Sequence, residues 1–188
     1  MTYTNIQNRN VPITASTPSE RDRFKAYIEQ AVEMCDKIGV PYRNIVGFAI
    51  NYRATARWGC CKYDGTYSAY TCKIEIASVL LNEGRESAIV ETILHEICHT
   101  INPRAGHRGE WAFWTARLNR EFGYNIKREN TCEDKGVEDG ALTRNVRVRF
   151  EFKCEGCGQH ISYTKRCKFV QNYSRYTCGI CKGKFVPL

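Results

Sequence analysis

Five residues near the middle of the chain, His95-Glu96-Ile97-Cys98-His99, lie within an apolar pattern that has helical spacing. The pattern predicts a helix over residues 86–100, ending before Pro103. Its apolar stripe consists of Ile89, Val90, Ile93, Leu94 and Ile97. Because residues four apart project from the same face of a helix, both imidazoles can bind one metal ion. An H-E-x-x-H sequence on a helix is typical of a zinc site in which the glutamate is the general base.

A third histidine completes this predicted site. A catalytic zinc ion has three protein ligands and one open position, and the other histidines of the chain are His107 and His160. His107 is favoured, since it follows a turn at residues 103–106 that can return the chain to the metal. It also precedes a predicted helix over residues 108–121 that would hold it in place. The alternative third ligands are two carboxylates on that helix, Glu110 and Glu121.

These residue types in this arrangement predict hydrolysis of an amide bond. Bound Zn²⁺ would polarise the substrate carbonyl and lower the pKa of water toward about 7. Glu96 would be the catalytic residue that takes a proton from the attacking water and gives it to the leaving amine. Tyr and Arg are plentiful, and the sequence does not identify the residue that stabilises the oxyanion.

Four of the eleven cysteines form two C-x₂-C pairs, Cys154/Cys157 and Cys178/Cys181, with 20 residues between the pairs. This spacing predicts a closed structural zinc site of the ribbon type. His160 and Cys167 lie between the pairs and are alternative ligands. Most of the other cysteines are predicted to be small buried apolar residues. Because no secretory signal is visible, we expect a reducing, intracellular and cytoplasmic location.

The net charge of +8 lies entirely in the last quarter of the chain. Residues 1–143 hold 18 Lys/Arg and 18 Asp/Glu, whereas residues 144–188 hold 10 Lys/Arg and 2 Asp/Glu. The basic residues are interleaved with Tyr163, Phe169, Tyr173 and Tyr176, a mixture that suits phosphate contact and base stacking. In the simpler alternative, these aromatics pack the small core of the ribbon. The pattern favours nucleic acid as a partner that binds residues 144–188.

The chain as a whole is predicted to have an α+β fold. A polar lead (1–19) precedes a small zincin-type metallopeptidase domain (20–124), in which helices pack on a short sheet. A linker (125–143) then leads to a basic β zinc ribbon (144–188). The predicted elements are a helix at 20–38, a strand at 44–52, an antiparallel pair at 56–62 and 67–76 around Asp64-Gly65, and a strand at 146–152. No apolar stretch is long enough to cross a membrane, and we expect a monomer.

The order of these parts resembles that of the SprT-like metallopeptidases. The resemblance is carried by Lys73-Ile74-Glu75-Ile76, by residues 93–99, by Gly106-His107-Arg108-Gly109-Glu110-Trp111, and by the ribbon flanks at 152–154 and 176–178. It implies that His95, His99 and His107 bind a catalytic zinc ion and that Glu96 is the catalytic acid/base. It also implies a structural zinc ion on the four paired cysteines.

The family includes DNA-dependent proteases that digest proteins crosslinked to DNA, so the resemblance implies a DNA-bound protein substrate. The alternative is a non-proteolytic, nucleic-acid-binding or transcription-associated factor on a metallopeptidase scaffold. Glu96 favours the enzyme, because a scaffold needs the histidines for zinc but has no structural need of that carboxylate.

Overall fold

The computed structural model describes residues 11–66, 68–142, 150–163 and 165–188, and these residues form helices and strands in two compact units. The first unit, residues 1–143, contains β1 (Ile13–Thr14), α1 (Pro18–Ile38), β2 (Ile45–Asn51), β3 (Gly59–Gly65), β4 (Tyr70–Ala77), α2 (Ser78–Glu83), α3 (Glu86–His99), α4 (Glu110–Phe122) and α5 (Cys132–Lys135). The second unit, residues 144–188, contains β5 (Phe150–Cys154), β6 (His160–Tyr163), α6 (Lys168–Gln171), a 3-10 turn (Tyr173–Arg175) and β7 (Phe185–Pro187). The predicted α+β class is confirmed. None of the described helices combines the length and the apolar character that crossing a membrane requires.

A mixed four-stranded sheet supports the first unit. Its strand order is β1-β2-β4-β3, with β2 parallel to β1 and β4, and β3 antiparallel to β4. The predicted antiparallel pair is therefore confirmed, but its turn lies beyond Asp64-Gly65, since Gly65 ends β3 and the Thr66 N–H donates to the Ala69 carbonyl (2.9 Å). Tyr67, where the second strand was predicted to begin, lies outside the described residues. Among the described strands β3 is an edge strand, and this position matters for the site.

The first helix begins earlier than predicted. Thr17 caps α1 by accepting a hydrogen bond from the Glu20 N–H (3.2 Å), and Pro18 occupies the first turn, where its missing N–H costs nothing. Strand β1 also lies within the predicted lead (1–19), where Ile13 pairs with Phe48 of β2. From residue 11 onward the lead is thus part of the folded unit, and residues 1–10 lie outside the described residues.

Helix α3 lies at the centre of the first unit and is surrounded by protein. It contacts α1, α4, β3 and β4, and both its apolar stripe and Glu96 are buried. An apolar helix with neighbours on every side is a rigid support for polar groups at its end. His95 and His99 lie in its last turns.

The structure differs from the prediction over residues 125–142, which pack on the first unit and do not form a free linker. Ile126 and Val137 are buried, and Lys135 is only 2% exposed. The polar composition of this segment hides these three anchors. The short helix α5 begins with a capping box between Thr131 and Asp134, and its last residue, Lys135, accepts a hydrogen bond from the Arg85 N–H (3.0 Å).

The second unit is a small three-stranded antiparallel sheet in the order β6-β5-β7. Phe152, Val170 and Phe185 are buried in its core beside two of the paired cysteines, Cys154 and Cys178. The predicted strand at 146–152 is present from Phe150, whereas Val146 and Val148 lie outside the described residues. A unit of this size has few apolar side chains to bury.

Candidate metal centres

Three imidazoles of the first unit converge on one point. His95 and His99 extend from α3, and His107 lies in the loop between α3 and α4. The Nε2 atoms are 3.2 Å apart between His95 and His99, 3.2 Å between His99 and His107, and 3.0 Å between His95 and His107. A tetrahedral zinc ion with Zn–N distances of about 2.05 Å separates its nitrogen ligands by about 3.3 Å. The triangle of Nε2 atoms therefore has the dimensions expected for three ligands of one zinc ion.

Trp111 of α4 supports all three imidazoles. Its ring centroid lies 4.8 Å from that of His95, 5.7 Å from that of His99 and 4.5 Å from that of His107. Its indole N–H also donates to the His95 carbonyl (3.2 Å). This single buried side chain ties the loop histidine to the helix.

The segment predicted as a linker contributes to the site through its backbone. The Lys127 carbonyl lies 3.0 Å from His95 Nδ1. When Nδ1–H donates to this carbonyl, the tautomer is fixed and the Nε2 lone pair points toward the metal position. Asn119 holds the neighbouring residue Ile126 by accepting from its N–H (2.7 Å) and donating to its carbonyl (3.1 Å). The sequence did not indicate that the Lys127 carbonyl would contact His95. The one nearby pattern that predicts local structure is the Thr131-x-x-Asp134 capping pattern.

The imidazoles are poor bases in this environment. Burial, followed by the neighbouring imidazoles His99 and His107, lowers the pKa of His95 to about 3. Burial and then His107 lower the pKa of His99 to about 4, and burial also lowers the pKa of His107. All three rings are therefore neutral near pH 7, which is the protonation state that binds a metal.

Glu96 lies beside the imidazoles and is almost fully buried. It is 6% exposed, and burial raises its pKa to about 8, although a hydrogen bond from the Cys61 backbone opposes the rise. A nearby divalent cation would favour the carboxylate and lower this pKa. A Cβ on Gly59 of β3 would lie 2.7 Å from Glu96 Oε1, so only glycine leaves room for the carboxylate.

A cleft of about 670 Å³ opens over Glu96 and the three imidazoles. Residues 56–61 at the start of β3 form one wall, and residues 126–130 form the other. Trp58 joins the two walls, since its indole N–H donates to the Asn130 carbonyl (3.3 Å). Cys60 and Cys61 are half-buried in the first wall, in contrast to the fully buried Cys35, Cys72 and Cys98. The alternative third ligands, Glu110 and Glu121, are exposed and are not among the residues that the structure gathers at this site.

The four paired cysteines form a second cluster in the second unit. Their Sγ atoms all lie within 4.8 Å of one another, with Cys154 and Cys181 3.4 Å apart and Cys157 and Cys178 3.6 Å apart. The backbone N–H groups of Cys181 and Ile180 lower the pKa of Cys178 to about 7, which favours the thiolate that binds zinc.

The alternative ligands of the second cluster do not join it. His160 is exposed on β6, and Cys167 is half-buried among aromatic side chains. Gly183 makes the cluster possible, because a Cβ there would lie 3.0 Å from Cys154 Sγ and 3.2 Å from Cys181 Sγ. The donor set of four converging sulfurs fits a tetrahedral structural zinc ion.

The surface of the second unit is strongly basic. Its seven described Lys and Arg residues are all exposed, and none forms an ion pair within residues 150–163 and 165–188: Lys153, Lys165, Arg166, Lys168, Arg175, Lys182 and Lys184. The predicted Arg144, Arg147 and Arg149 lie outside the described residues.

The aromatic residues of the second unit divide between its core and its surface. Tyr163 stacks on Phe169 at 5.3 Å, and Tyr173 packs on Phe152. Tyr176 is 42% exposed. Three of the four predicted stacking residues therefore help to build the core, and Tyr176 alone among them presents a large open surface.

Comparison with known proteins agrees with this arrangement. A model described as the SprT-like family matches residues 25–130, more than half of the chain. The chain is 30% identical over 121 residues to the DNA-dependent metalloprotease SPRTN of Bos taurus, an alignment that covers 61% of this chain and 24% of that protein. It thus spans about a quarter of the length of this relative. No solved structure matches. Because this family model matches more than half of the chain and its range includes His95, His99 and His107, the chain belongs to the SprT-like family.

Proposed function

We propose that this chain is a zinc-dependent endopeptidase that acts on DNA-bound or DNA-crosslinked proteins. The observation that carries the proposal is the convergence of three Nε2 atoms beside the buried Glu96 carboxylate in an open cleft. Three nitrogens at this spacing match the separation of nitrogen ligands around one cation. The cleft gives a substrate access to that position.

Each ligand set has its own role. His95, His99 and His107 would hold the catalytic Zn²⁺, and the four cysteines would hold a structural one. The catalytic ion supplies polarisation of the scissile carbonyl. Glu96 takes a proton from the attacking water and delivers it to the departing amine. The Cys61 N–H orients the Glu96 carboxylate during both transfers.

The edge strand β3 offers a way to align the substrate. Among the described strands only β4 pairs with β3, so its outer backbone groups, apart from the Cys61 N–H, can pair with an extended peptide. Cys61 lies on this strand and donates to Glu96, which places the catalytic carboxylate at the strand's outer edge. A peptide laid along β3 therefore passes the imidazole triangle.

DNA is the partner proposed for the second unit. Seven exposed cations without an ion-pair partner among the described residues supply the phosphate contacts, and Tyr176 supplies a surface for base stacking. The bovine relative is a DNA-dependent metalloprotease, which supports the same assignment. The intracellular location and the monomeric state stay predictions.

The decisive experiment is cleavage of a DNA-binding protein by the purified, zinc-loaded chain, with and without single-stranded DNA. Wild type is expected to cleave, and DNA is expected to stimulate cleavage. Glu96→Gln, which keeps the shape of the side chain but cannot accept the proton, is expected to bind zinc and DNA normally and to lose cleavage.

Two other outcomes would redirect the assignment. DNA binding without any cleavage would support the non-proteolytic, nucleic-acid-binding factor on a metallopeptidase scaffold. Cleavage that is indifferent to DNA would retain the protease and remove DNA as its partner.

A further inference from the structure

We propose that the β2–β3 loop forms a subsite for an acidic side chain of the polypeptide substrate, in which the guanidinium groups of Arg53 and Arg57 bind the carboxylate. This inference rests on the proposed protease function and defines the substrate segment that it prefers. It follows from the distribution of charge around the catalytic cleft.

Four of the six cations that line the cleft or the neighbouring cavity have a carboxylate partner. The ion pairs are Lys127–Asp134 (2.8 Å), Arg128–Glu129 (3.6 Å), Lys135–Glu91 (4.0 Å) and Lys62–Glu75 (2.7 Å). Within the described part of the chain, Arg53 and Arg57 have no such partner. The guanidinium of Arg57 contacts Cys60 Sγ at 3.8 Å, a weak acceptor, and both arginines are exposed. Arg57 also lies close enough to Glu96 to lower the pKa of that carboxylate, but it forms no ion pair with it, so both exposed guanidinium groups remain open to a ligand.

Both arginines line a second cavity of about 250 Å³, which shares a wall with the cleft. Arg57, Gly59 and Cys60 border both spaces. The side chains of Cys60 and Lys62 lie on one face of the sheet, because alternate residues of a strand point the same way, and both line this cavity. Cys61 points to the other face and lines the catalytic cleft. The two spaces thus adjoin along the same edge strand, with Cys61 lining the cleft alone and Lys62 lining the cavity alone.

A peptide that adds to the edge of β3 would use both faces. Its side chains alternate, so when one faces the cleft its neighbour faces the cavity with Arg53 and Arg57. A guanidinium binds a carboxylate through two parallel hydrogen bonds, which gives both affinity and orientation. The cavity therefore selects Asp or Glu at one fixed position relative to the cleaved bond.

The same charges suit a single carboxylate better than a nucleic-acid strand. A nucleic-acid strand presents a row of phosphates, and binding it requires a row of unpaired cations. Here two unpaired guanidiniums are followed by Lys62, which is neutralised by the 9% exposed Glu75. The cavity also adjoins Glu96 through Gly59, where the polypeptide must lie for cleavage.

The test uses the full zinc-loaded chain and a proteome-derived peptide pool, with cleavage sites identified by mass spectrometry. Wild type is expected to enrich Asp and Glu at one position. The variant Arg53→Gln/Arg57→Gln is expected to lose this enrichment. The control Arg21→Gln/Arg23→Gln removes the same charge from exposed positions on α1, which lines neither space, and is expected to retain it.

A binding measurement gives a readout that does not depend on activity. In the Glu96→Gln background, a labelled peptide with two adjacent Glu residues should bind roughly tenfold more tightly than its Gln counterpart. The Arg53→Gln/Arg57→Gln substitutions should remove that difference in affinity and leave the affinity for the Gln peptide unchanged.

Several results would overturn the subsite. Equal binding of the Glu and Gln peptides, together with cleavage that shows no acidic preference, would reject it while the protease assignment stands. If the double variant binds a labelled single-stranded oligonucleotide more weakly than wild type does, but binds the Glu peptide equally well, the ligand of the two arginines is phosphate. If no peptide is cleaved at all, the protease assignment fails, and the anisotropy of the two labelled peptides still decides whether the carboxylate site exists.

Discussion

The close approach of Gly59 to Glu96 gives a sharp prediction for Gly59→Ala. The added Cβ would lie 2.7 Å from Glu96 Oε1 and 2.8 Å from Thr92 Cγ2, so the carboxylate must move by about 0.7 Å to restore an ordinary contact near 3.4 Å. Thr92 cannot yield easily, because its hydroxyl donates to the Ala88 carbonyl (2.8 Å). The strand is held by its pairing with Ile76 of β4. Glu96 is therefore the group that moves.

The expected cost follows from that displacement. A misplacement approaching 1 Å lowers catalysis by about 100-fold, and overpacking a full core costs about 1–3 kcal/mol of unfolding free energy. The backbone of Gly59 does not have a positive φ, so backbone strain does not contribute. Gly47→Ala is the matched control in β2 of the same sheet, since its Cβ would meet nothing closer than 3.7 Å. It should leave activity and stability near those of wild type.

The assay combines protease rate, zinc content and denaturant unfolding. Gly59→Ala should keep its zinc, because the imidazoles are not the groups displaced, while rate and stability fall. In a Glu96→Ala background the added methyl meets fewer atoms, so its destabilisation should shrink by about 1 kcal/mol. If Gly59→Ala keeps the wild-type rate and stability, or if its cost is unchanged in the Glu96→Ala background, the carboxylate does not depend on the missing side chain.

Other substitutions test the second cluster, the cleft wall and the buried lysine. Gly183→Ala should release zinc from the second unit, because its Cβ would lie 3.0 Å from the Cys154 sulfur. The control Gly179→Ala, whose Cβ would have no atom within 4 Å, should keep zinc. Equal zinc affinities of the two variants in a zinc-release titration would contradict this prediction. Asn119→Ala removes both hydrogen bonds to residue 126 and should weaken zinc binding at the imidazoles by about 10-fold or more, measured by competition with a chelator; unchanged affinity would mean that the His95 acceptor is held otherwise. Burial lowers the pKa of Lys135 from 10.5 to about 8, so the unfolded chain binds more protons between these values and stability should rise by about 3 kcal/mol as pH increases through them. Lys135→Met should lack that rise in denaturant melts over this range, and an identical pH profile would place the ammonium in solvent.

Periodicity predicted α3 well because its proposed metal ligands and its burial use the same helical spacing. Ile89, Ile93 and Ile97 mark the buried stripe, and the imidazoles follow four residues apart, so one pattern gives both the helix and the direction of its ligands. The four cysteines were equally accessible to sequence reasoning, since a closed tetrahedral site requires paired ligands at short spacing.

The cleft walls were beyond the reach of pattern reasoning, because backbone atoms build them. The Lys127 carbonyl and the Cys61 N–H are backbone groups that no residue type predicts. Gly59 contributes because it has no Cβ, which leaves space for Glu96. The segment that contains Lys127 has too few apolar residues to produce a period, and its single buried lysine appears polar in any composition count. Such contributions become visible only when the chain is folded against α3.

The packing of residues 125–142 against the first unit decides where this protein can be divided for experiments. A fragment ending at Tyr124 would retain α3, α4 and all three imidazoles, and would pass for a complete catalytic core. It would nevertheless lose the carbonyl that orients His95, one wall of the cleft and the Trp58 tether across it. Expression fragments used to test for catalysis should therefore extend through residue 142. Inactivity of a shorter fragment would be a result of the truncation and would not test the proposed function.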